Sequence, residues 1–247
     1  MPEEQTQFGF QKVPLAEKAR RVSGVFDAVA SRYDLMNDLM SLGSHRILKR
    51  IAVEYTAARP GHSVLDLAGG TGDLTALLSP IVGDTGRVVL CDINRSMLSL
   101  GRDRLVDRGI VGNVQYVQGD AEKLPYPDEA FNAITISFGL RNVTDKDAAL
   151  REMSRVLKPG GHAVILEFSK PQNTAVRAAY DAFTRLWPGV GKAVVGDSAS
   201  YQYLVESILV HPGQVELENM MQAAGFDHCN YYNLLSGIVA IHTGSKS

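Results

Sequence analysis

Ser63-Val-Leu-Asp-Leu-Ala-Gly-Gly-Thr-Gly-Asp-Leu-Thr75 reads as a buried strand, a tight turn and the start of a helix. Gly69, Gly70 and Gly72 permit positive φ and let a ligand lie against bare peptide groups at the carboxyl end of the strand. The turn is shaped for a nucleotide-like molecule. Alone it would also suit plain helix–strand packing, so its meaning depends on the chain around it.

Outward from that turn the sequence alternates. Apolar runs at Ser63–Ala68, Arg87–Cys91, Val114–Gln118, Ala133–Ser137 and His162–Phe168 are separated by helix-like stretches near Asp73–Ile81, Arg95–Asp107 and Lys146–Leu157, with a shorter polar segment before the fourth run. Such β-α-β-α order implies a mainly parallel sheet with helices on both faces. Lys158-Pro-Gly-Gly161 is expected to stop the chain sharply before the fifth strand. Upstream, Val13, Ala16, Ala19, Val22, Val25, Phe26 and Val29 recur at helical intervals and predict an amphipathic helix over Lys12–Ser31. A second helix is expected from His45 to Ala58, broken by Arg59-Pro-Gly61. Downstream, Thr174 to about Met221 is helical and irregular, interrupted at Trp187-Pro-Gly189. Asp227–Asn233 and Gly237–Thr243 then form an antiparallel hairpin.

The fold class is α/β: a doubly wound, Rossmann-like sheet of seven strands with the last antiparallel, N-terminal helices, and a helical insertion before the final hairpin. The chain reads as a single domain. Residues 1–58 form an N-terminal helical lid, 62–170 the cofactor-binding core, 171–222 a substrate-side insertion, and 223–247 the C-terminal strand pair.

The ligand of the turn is narrowed by what the motif lacks. A dinucleotide fingerprint needs GxGxxG, and in Gly70-Thr-Gly-Asp-Leu-Thr75 a threonine stands where the third glycine should be. Asp73 is read as facing the ligand, where it would repel a pyrophosphate but tolerate the cationic sulfonium and amino groups of S-adenosylmethionine. The second strand ends in Asp92, some 26 positions after Asp66, near the spacing of about 20 at which an acidic residue accepts both ribose hydroxyls. Charge-assisted bonds of this kind contribute about 1.5–3 kcal/mol each. After the third strand, Asp120 is expected to accept from an adenine amino group while the Ala121 N–H donates to the ring, and Ser137 closes the fourth. Asp92 alone could be a surface carboxylate. In register with the glycine turn it points to a cofactor site.

Composition adds limits. The 247 residues are 45% hydrophobic and 21% charged, with a net charge of −2, which gives no global attraction to nucleic acid. Cys91 and Cys229 show no CxxC spacing, and the histidines at 45, 62, 162, 211, 228 and 242 show none suited to metal. No metal is expected. The acidic start, Met-Pro-Glu-Glu-Gln, and the lack of a long apolar run lead to an expected cytoplasmic location.

Further segments narrow the reading. Phe8-Gly-Phe-Gln11, Phe26-Asp-Ala-Val-Ala-Ser-Arg-Tyr-Asp-Leu-Met-Asn-Asp-Leu-Met-Ser41, Leu65–Asp73, Ile136-Ser-Phe-Gly-Leu-Arg-Asn-Val-Thr-Asp145, Leu166-Glu-Phe-Ser-Lys-Pro171 and Ser200-Tyr-Gln-Tyr-Leu-Val-Glu-Ser-Ile208 resemble the ubiquinone/menaquinone C-methyltransferases. These belong to the class I S-adenosylmethionine-dependent methyltransferases. The Ser-Phe-Gly-Leu-Arg-Asn and Glu-Phe-Ser-Lys-Pro segments carry the narrower likeness. Ala68 departs from the glycine usual in the broad class. By resemblance, Thr71, Asp92, Asp120, Ala121 and Ser137 contact the cofactor, with Gly69 and Gly70 in the turn.

The resemblance implies methyl transfer to a carbon of a polyprenylated hydroquinone ring, activated by loss of a proton from a neighbouring phenol whose pKa is about 10. Arg141 is expected to stabilise the phenolate, with water taking the proton and Asn142 orienting the same oxygen. The rival role for Arg141 is an ion pair with Asp145 or Asp147. Tyr33 and Tyr201 are the substrate-binding candidates, with Asp34, Asn37 and Tyr203 beside them, although tyrosines at such spacing also serve as packing residues. The prenyl tail implies access from the bilayer or a carrier complex. Lys18, Arg20, Arg21, Arg46, Lys49 and Arg50 are either a solvated helix face or a peripheral headgroup contact at the inner membrane face, and a homodimer is expected from the resemblance. The competing functions are a non-catalytic assembly protein of a quinone-biosynthesis complex and an NAD-dependent oxidoreductase. A nucleic-acid methyltransferase is disfavoured by the net charge.

Overall fold

A computed structural model describes residues 5–29, 37–38, 41, 43–184, 187 and 198–247. Its centre is a seven-stranded sheet. In chain order the strands are β3 (Ser63–Leu67), β4 (Arg87–Asp92), β5 (Val114–Gln118), β6 (Phe131–Ser137), β7 (Leu157–Phe168), β8 (Asp227–Leu234) and β9 (Val239–Ser245). Across the sheet the order is β5-β4-β3-β6-β7-β9-β8. The first five are parallel, and β9 enters antiparallel between β7 and β8. The direction of winding reverses at β3, so the crevice above β3 and β6 is the natural ligand position.

Both faces of the sheet are covered, which explains the near-continuous apolar runs. Along β3, Leu65 and Leu67 pack with Leu150, Met153 and Met221, while the alternate residue Val64 packs with Val53, Leu74 and Leu78 on the other face. A third cluster joins Leu48 and Ala52 to Val164, Leu166 and Ile241. The covering helices include α2 (His45–Glu54), α3 (Asp73–Val82), α4 (Arg95–Asp107) and α5 (Lys146–Val156). The predicted insertion contains α6 (Thr174–Thr184), α7 (Ser198–Val210) and α8 (Gln214–Ala223).

Three boundaries differ from expectation. The first helix, α1, spans Leu15–Val29, because residues 5–14 form a hairpin of β1 (Gln5–Phe8) and β2 (Gln11–Pro14) turned at Gly9. Pro14 favours extended backbone at Val13, so the helical spacing of Val13 is coincidental. Helix α2 ends at Glu54 and not Ala58: Thr56 Oγ1 donates to the Val53 carbonyl and accepts from the Ala58 N–H, turning the chain early. Lys158–Gly161 does not precede the fifth strand but lies within β7, where the register against β6 shifts between Phe131 and Ala133 and Gly160 takes φ +73°. The punctuation marks an irregularity in a strand rather than a stop.

Candidate active site

The glycine turn is held by a carboxylate that faces away from any ligand. Asp66, 1% exposed, accepts from the Thr75 N–H (3.0 Å), the Thr75 hydroxyl (2.7 Å) and the Thr135 hydroxyl (3.2 Å), tying the start of α3 to β3 and β6. Burial pushes its pKa up to about 6. A Cβ on Gly69 would stand 2.2 Å from Leu90 Cδ1 and 2.9 Å from the Asp66 carboxylate, and one on Gly101 would stand 2.6 Å from the Gly70 carbonyl. The turn is therefore clamped between β4 and α4, and glycine is a steric requirement there. Ala68 adopts φ +49°, and its methyl fills the space that a Cβ on Gly139 would need, at 2.7 Å. The departure from the usual glycine is thus matched by a glycine on the neighbouring strand end.

Asp92 stands where the second strand ends. Its Oδ2 accepts from the Gly70 N–H (2.9 Å) and its Oδ1 from the Asn94 N–H (2.8 Å), so the carboxylate braces the glycine turn while lining a cavity. It is 8% exposed, and burial raises its pKa to about 6. Asn94 caps α4 by accepting from the Met97 N–H (2.8 Å), and its amide donates to the Ser23 hydroxyl and Asp27 (both 3.0 Å). That link lays α1 across the carboxyl edge of the sheet.

The cavity beneath α1 has a volume of about 260 Å³. Gly70, Asp92, Asp120, Ala121, Ser137 and Asn142 meet there, with Leu15, Ala19 and Val22 of α1 as an apolar roof. Among the described lining residues are three carboxylates, including Glu122, and neither lysine nor arginine. Such a site disfavours a pyrophosphate and accommodates a cation with an apolar body. The Ser137 hydroxyl lines it and is buried without a hydrogen-bond partner, a polar group awaiting a ligand. The donor set fits S-adenosylmethionine, whose amino group, hydroxyls and adenine need acceptors.

Other expected residues sit off the cavity wall. Gly69 and Thr71 do not line the cavity; Gly69 serves close packing, and Thr71 is buried with its carbonyl accepting from Arg104 (3.4 Å). Asp73 points elsewhere, to Lys49 (2.8 Å) and Arg104 (3.3 Å), whose charges hold its pKa below the usual range despite burial. The charge argument holds through Asp92 and Asp120, not through Asp73. Asp120 accepts the Glu122 N–H (3.0 Å) with Oδ1, leaving its other oxygen for a ligand.

Arg141 lies in a 3-10 turn, Leu140–Asn142, just past β6. It is not on the cavity wall. Its guanidinium donates to Glu167 Oε1 (2.8 Å) and to the Phe138 carbonyl, its backbone N–H to Glu167 Oε2 (3.2 Å), and it lies over the Phe168 ring. The expected partners Asp145 and Asp147 are not those it uses: Asp145 instead caps α5 through the Ala148 N–H (2.9 Å). Glu167, 1% exposed, also accepts from the Phe168 N–H (2.9 Å) and so fastens the turn to the end of β7. Sequence reasoning missed this role, although the Glu-Phe-Ser-Lys-Pro segment contained it.

Asn142 does reach the cavity, and its Oδ1 accepts from the Tyr203 hydroxyl (3.0 Å), which leaves its amide hydrogens as donors. Tyr203 stacks on Phe8 with ring centroids 4.3 Å apart, so the unforeseen N-terminal hairpin supports the site. Tyr201 is fully buried and lines neither this cavity nor the next. Tyr33 and Asp34 lie outside the described residues; Asn37 accepts the Ser41 hydroxyl with its carbonyl (2.6 Å). Phe138, at φ +54°, lines the first cavity and also a second of about 370 Å³. That second cavity is walled by Leu48, Phe168, Val176, Phe183, Leu235 and Ile238 among others. No group of His, Cys, Asp and Glu suited to a metal occurs among the described residues.

Known proteins fit this architecture. A protein of Aquifex aeolicus described as a SAM-dependent methyltransferase superposes with a TM-score of 0.61 at 17% identity, covering 86% of this chain and 96% of its own. A Thermotoga maritima SAM-dependent methyltransferase gives 0.65 at 19% identity, covering 92% and 100%. Sequence relatives are far nearer. The protein of Teredinibacter turnerae named ubiquinone/menaquinone biosynthesis C-methyltransferase UbiE is 58% identical over 246 residues, 99% of either chain. The protein of that name from Saccharophagus degradans is 57% identical, covering 99% of this chain and 98% of its own. A profile of the ubiE/COQ5 methyltransferases matches residues 15–246, and the chain belongs to that family.

Proposed function

We propose that this protein is an S-adenosylmethionine-dependent C-methyltransferase acting on the ring of a polyprenylated hydroquinone in ubiquinone or menaquinone biosynthesis. The observation that carries the reading is the meeting of two unlike cavities at Phe138, one lined by carboxylates and one by hydrocarbon. The first suits the cofactor and the second an apolar acceptor. When bound, the cofactor supplies an electrophilic methyl group on a sulfonium.

The chain's residues would work as follows. Asp92 and Asp120 accept from the cofactor's hydroxyl and amino groups, the Ala121 N–H and Ser137 hydroxyl donate, and Gly70 offers bare peptide. A hydroquinone ring seated beside Phe138 presents a phenol oxygen to the Asn142 amide, whose orientation Tyr203 fixes. Donation to that oxygen stabilises the phenolate, and its charge spreads to the adjacent ring carbon. The phenolic proton leaves to water; once the ring carbon carries the methyl group, with the sulfur departing as a neutral thioether, the hydrogen that carbon bore is lost as a proton and the oxygen is reprotonated, which restores the aromatic hydroquinone. Arg141 acts by position, since the Glu167 pair holds the turn that carries Asn142, and its positive charge lies behind the same turn. The apolar roof and the second cavity exclude water from the reacting carbon.

Residues 1–58 serve as the lid and 171–222 as the acceptor side. Among the described residues no helix is long and apolar enough to cross a membrane, so a tailed substrate would be met at a bilayer surface or on a carrier, with the enzyme as a homodimer. Lys18 and Lys49 are withdrawn as headgroup contacts: both are buried, Lys18 on the Val143 carbonyl (3.0 Å) and Lys49 on Asp73. Methyl transfer from labelled cofactor to short-tailed demethylated benzoquinol and naphthoquinol tests the assignment. Turnover of at least one is expected, and turnover of neither by cofactor-binding protein would favour the assembly role.

A further inference from the structure

Two half-buried side chains outside both cavities, Phe8 and Glu206, bear on one group in the wall of the first. Phe8 of β1 stacks on Tyr203 of α7 with 21° between the ring planes, and the Phe10 N–H in the hairpin turn donates to Glu206 Oε2 of the same helix (3.0 Å). Gln202 donates to the other Glu206 oxygen (2.7 Å), which holds the carboxylate along α7. Gly9 is buried against that carboxylate at φ +59°, where an added Cβ would collide with it. Tyr203 and Glu206 are three residues apart on one face of α7, so the hairpin is seated there at two points.

The seat matters because of what Tyr203 touches. It is buried and lines neither cavity, and its hydroxyl donates to Oδ1 of Asn142, which does line the first. Burial pushes the pKa of that hydroxyl up to about 12, so it keeps its proton and its power to donate. The two branches of an asparagine amide are nearly equal in size, one accepting and one donating, so hydrogen-bond partners decide which of them faces a cavity. A donor fixed behind Oδ1 turns the Nδ2 hydrogens forward. A Tyr203 ring free to tilt would lose that bond and let the amide present its oxygen to a phenolate, which it would repel. Phe8 lies against the ring face and opposes the tilt.

We infer that Phe8 is a positioning residue for the acceptor: through Tyr203 it keeps the Asn142 amide turned to donate, and Glu206 anchors the hairpin that carries it. The hairpin runs directly into α1, whose first residue, Leu15, lines the first cavity, so the chain of contacts leaves that cavity wall at Asn142 and returns to it at the roof. Cofactor binding does not depend on the chain, since α1 is held separately by Lys18 on the Val143 carbonyl and by Asn94 on Ser23 and Asp27. The effect on turnover rests on the methyl transfer proposed above; the effect on the amide does not.

Both effects are measured on the full-length protein. In isotope-labelled protein the NMR resonance of the Asn142 side-chain amide, assigned by its disappearance in Asn142→Asp, should move in Tyr203→Phe and move the same way in Phe8→Ala and Glu206→Ala. Phe8→Tyr keeps a ring against Tyr203 and should restore the parental position. With a short-tailed acceptor at saturating cofactor, Phe8→Ala and Tyr203→Phe should each lower kcat by about 2- to 10-fold, the worth of one hydrogen bond, with the cofactor dissociation constant unchanged. The double variant should be no slower than Tyr203→Phe, because both changes act through one bond. Glu206 is only half-buried, so its variant reports even where Phe8→Ala disturbs the hairpin. An Asn142 resonance unmoved by Phe8→Ala and Glu206→Ala, or kcat losses that multiply in the double variant, overturns the inference. A parent protein that turns over neither acceptor refutes the proposed reaction instead, and the amide resonance still decides the part played by Phe8.

Discussion

Glu167→Gln tests whether the Leu140–Asn142 turn is held by a buried ion pair. The Arg141 and Glu167 side chains are 5% and 1% exposed, so solvent screening does little for either charge. Neutralising one partner leaves a buried guanidinium uncompensated, which in proteins costs about 3–5 kcal/mol. Glutamine keeps an acceptor oxygen, so the loss should fall near the lower end, about 3 kcal/mol. For a chain of this size that lowers Tm by roughly 6–12 °C. Because Arg141 also carries Asn142, displacement of the turn should reduce kcat by about 10- to 100-fold, while cofactor affinity, set by Asp92 and Asp120, changes little. The measurements are thermal unfolding, and turnover with a short-tailed acceptor at saturating cofactor. The control is Arg141→Met combined with Glu167→Met, in which two apolar side chains replace the pair. Such replacements are often neutral in stability. The double variant removes the uncompensated charge but leaves the Arg141 and Phe168 N–H groups without the Glu167 oxygens, so it should regain only part of the lost Tm and stay slow. A Glu167→Gln protein melting within about 1 °C of the parent would refute the argument that this pair is dry and mutually dependent.

Other expectations follow from the same geometry. Asp92, held up at about 6 by burial, must be ionised to accept from cofactor hydroxyls. Cofactor affinity should therefore be full above pH 6 and fall as pH drops through that value, and Asp92→Asn should weaken binding at least tenfold and flatten this dependence; calorimetry between pH 5 and 8 decides, and equal affinity at both ends removes Asp92 from the site. Gly69→Ala places a methyl against Leu90 and Asp66 and should cost about 1–3 kcal/mol, read as a lower denaturation midpoint with an unchanged m value. Val176→Trp should fill part of the apolar cavity, raising KM for a long-tailed acceptor more than for a short-tailed one. Equal effects on the two would mean the tail lies elsewhere.

The sheet was legible because its signal is local and redundant. Short continuous apolar runs, Gly-rich turns and β-α alternation agree from Ser63 to Phe168, and the closing hairpin announces itself by its short connection. The expectations that failed depend on partners distant in sequence. Nothing near Asp73 reveals that Lys49 and Arg104 claim it. Nothing near Arg141 says that Glu167, brought alongside by the pairing of β6 with β7, outcompetes Asp145. The N-terminal hairpin was hidden by a helical spacing that ran one step too far, into Val13.

The same distinction explains how the site divides. Residues that line the first cavity from strand ends, Gly70, Asp92, Asp120, Ala121 and Ser137, could be brought together by counting, because parallel strands bring their carboxyl ends to one edge whatever the loops do. Tyr201 and Tyr203 could not, since a helix presents its side chains around an axis whose rotation the sequence does not fix. Two positions apart on α7, one is buried away from both cavities and the other reaches Asn142. On the proposed reading, acceptor specificity would follow the helical segments, where single substitutions can retune the apolar cavity, while the strand ends form a frame around the first cavity that tolerates little change.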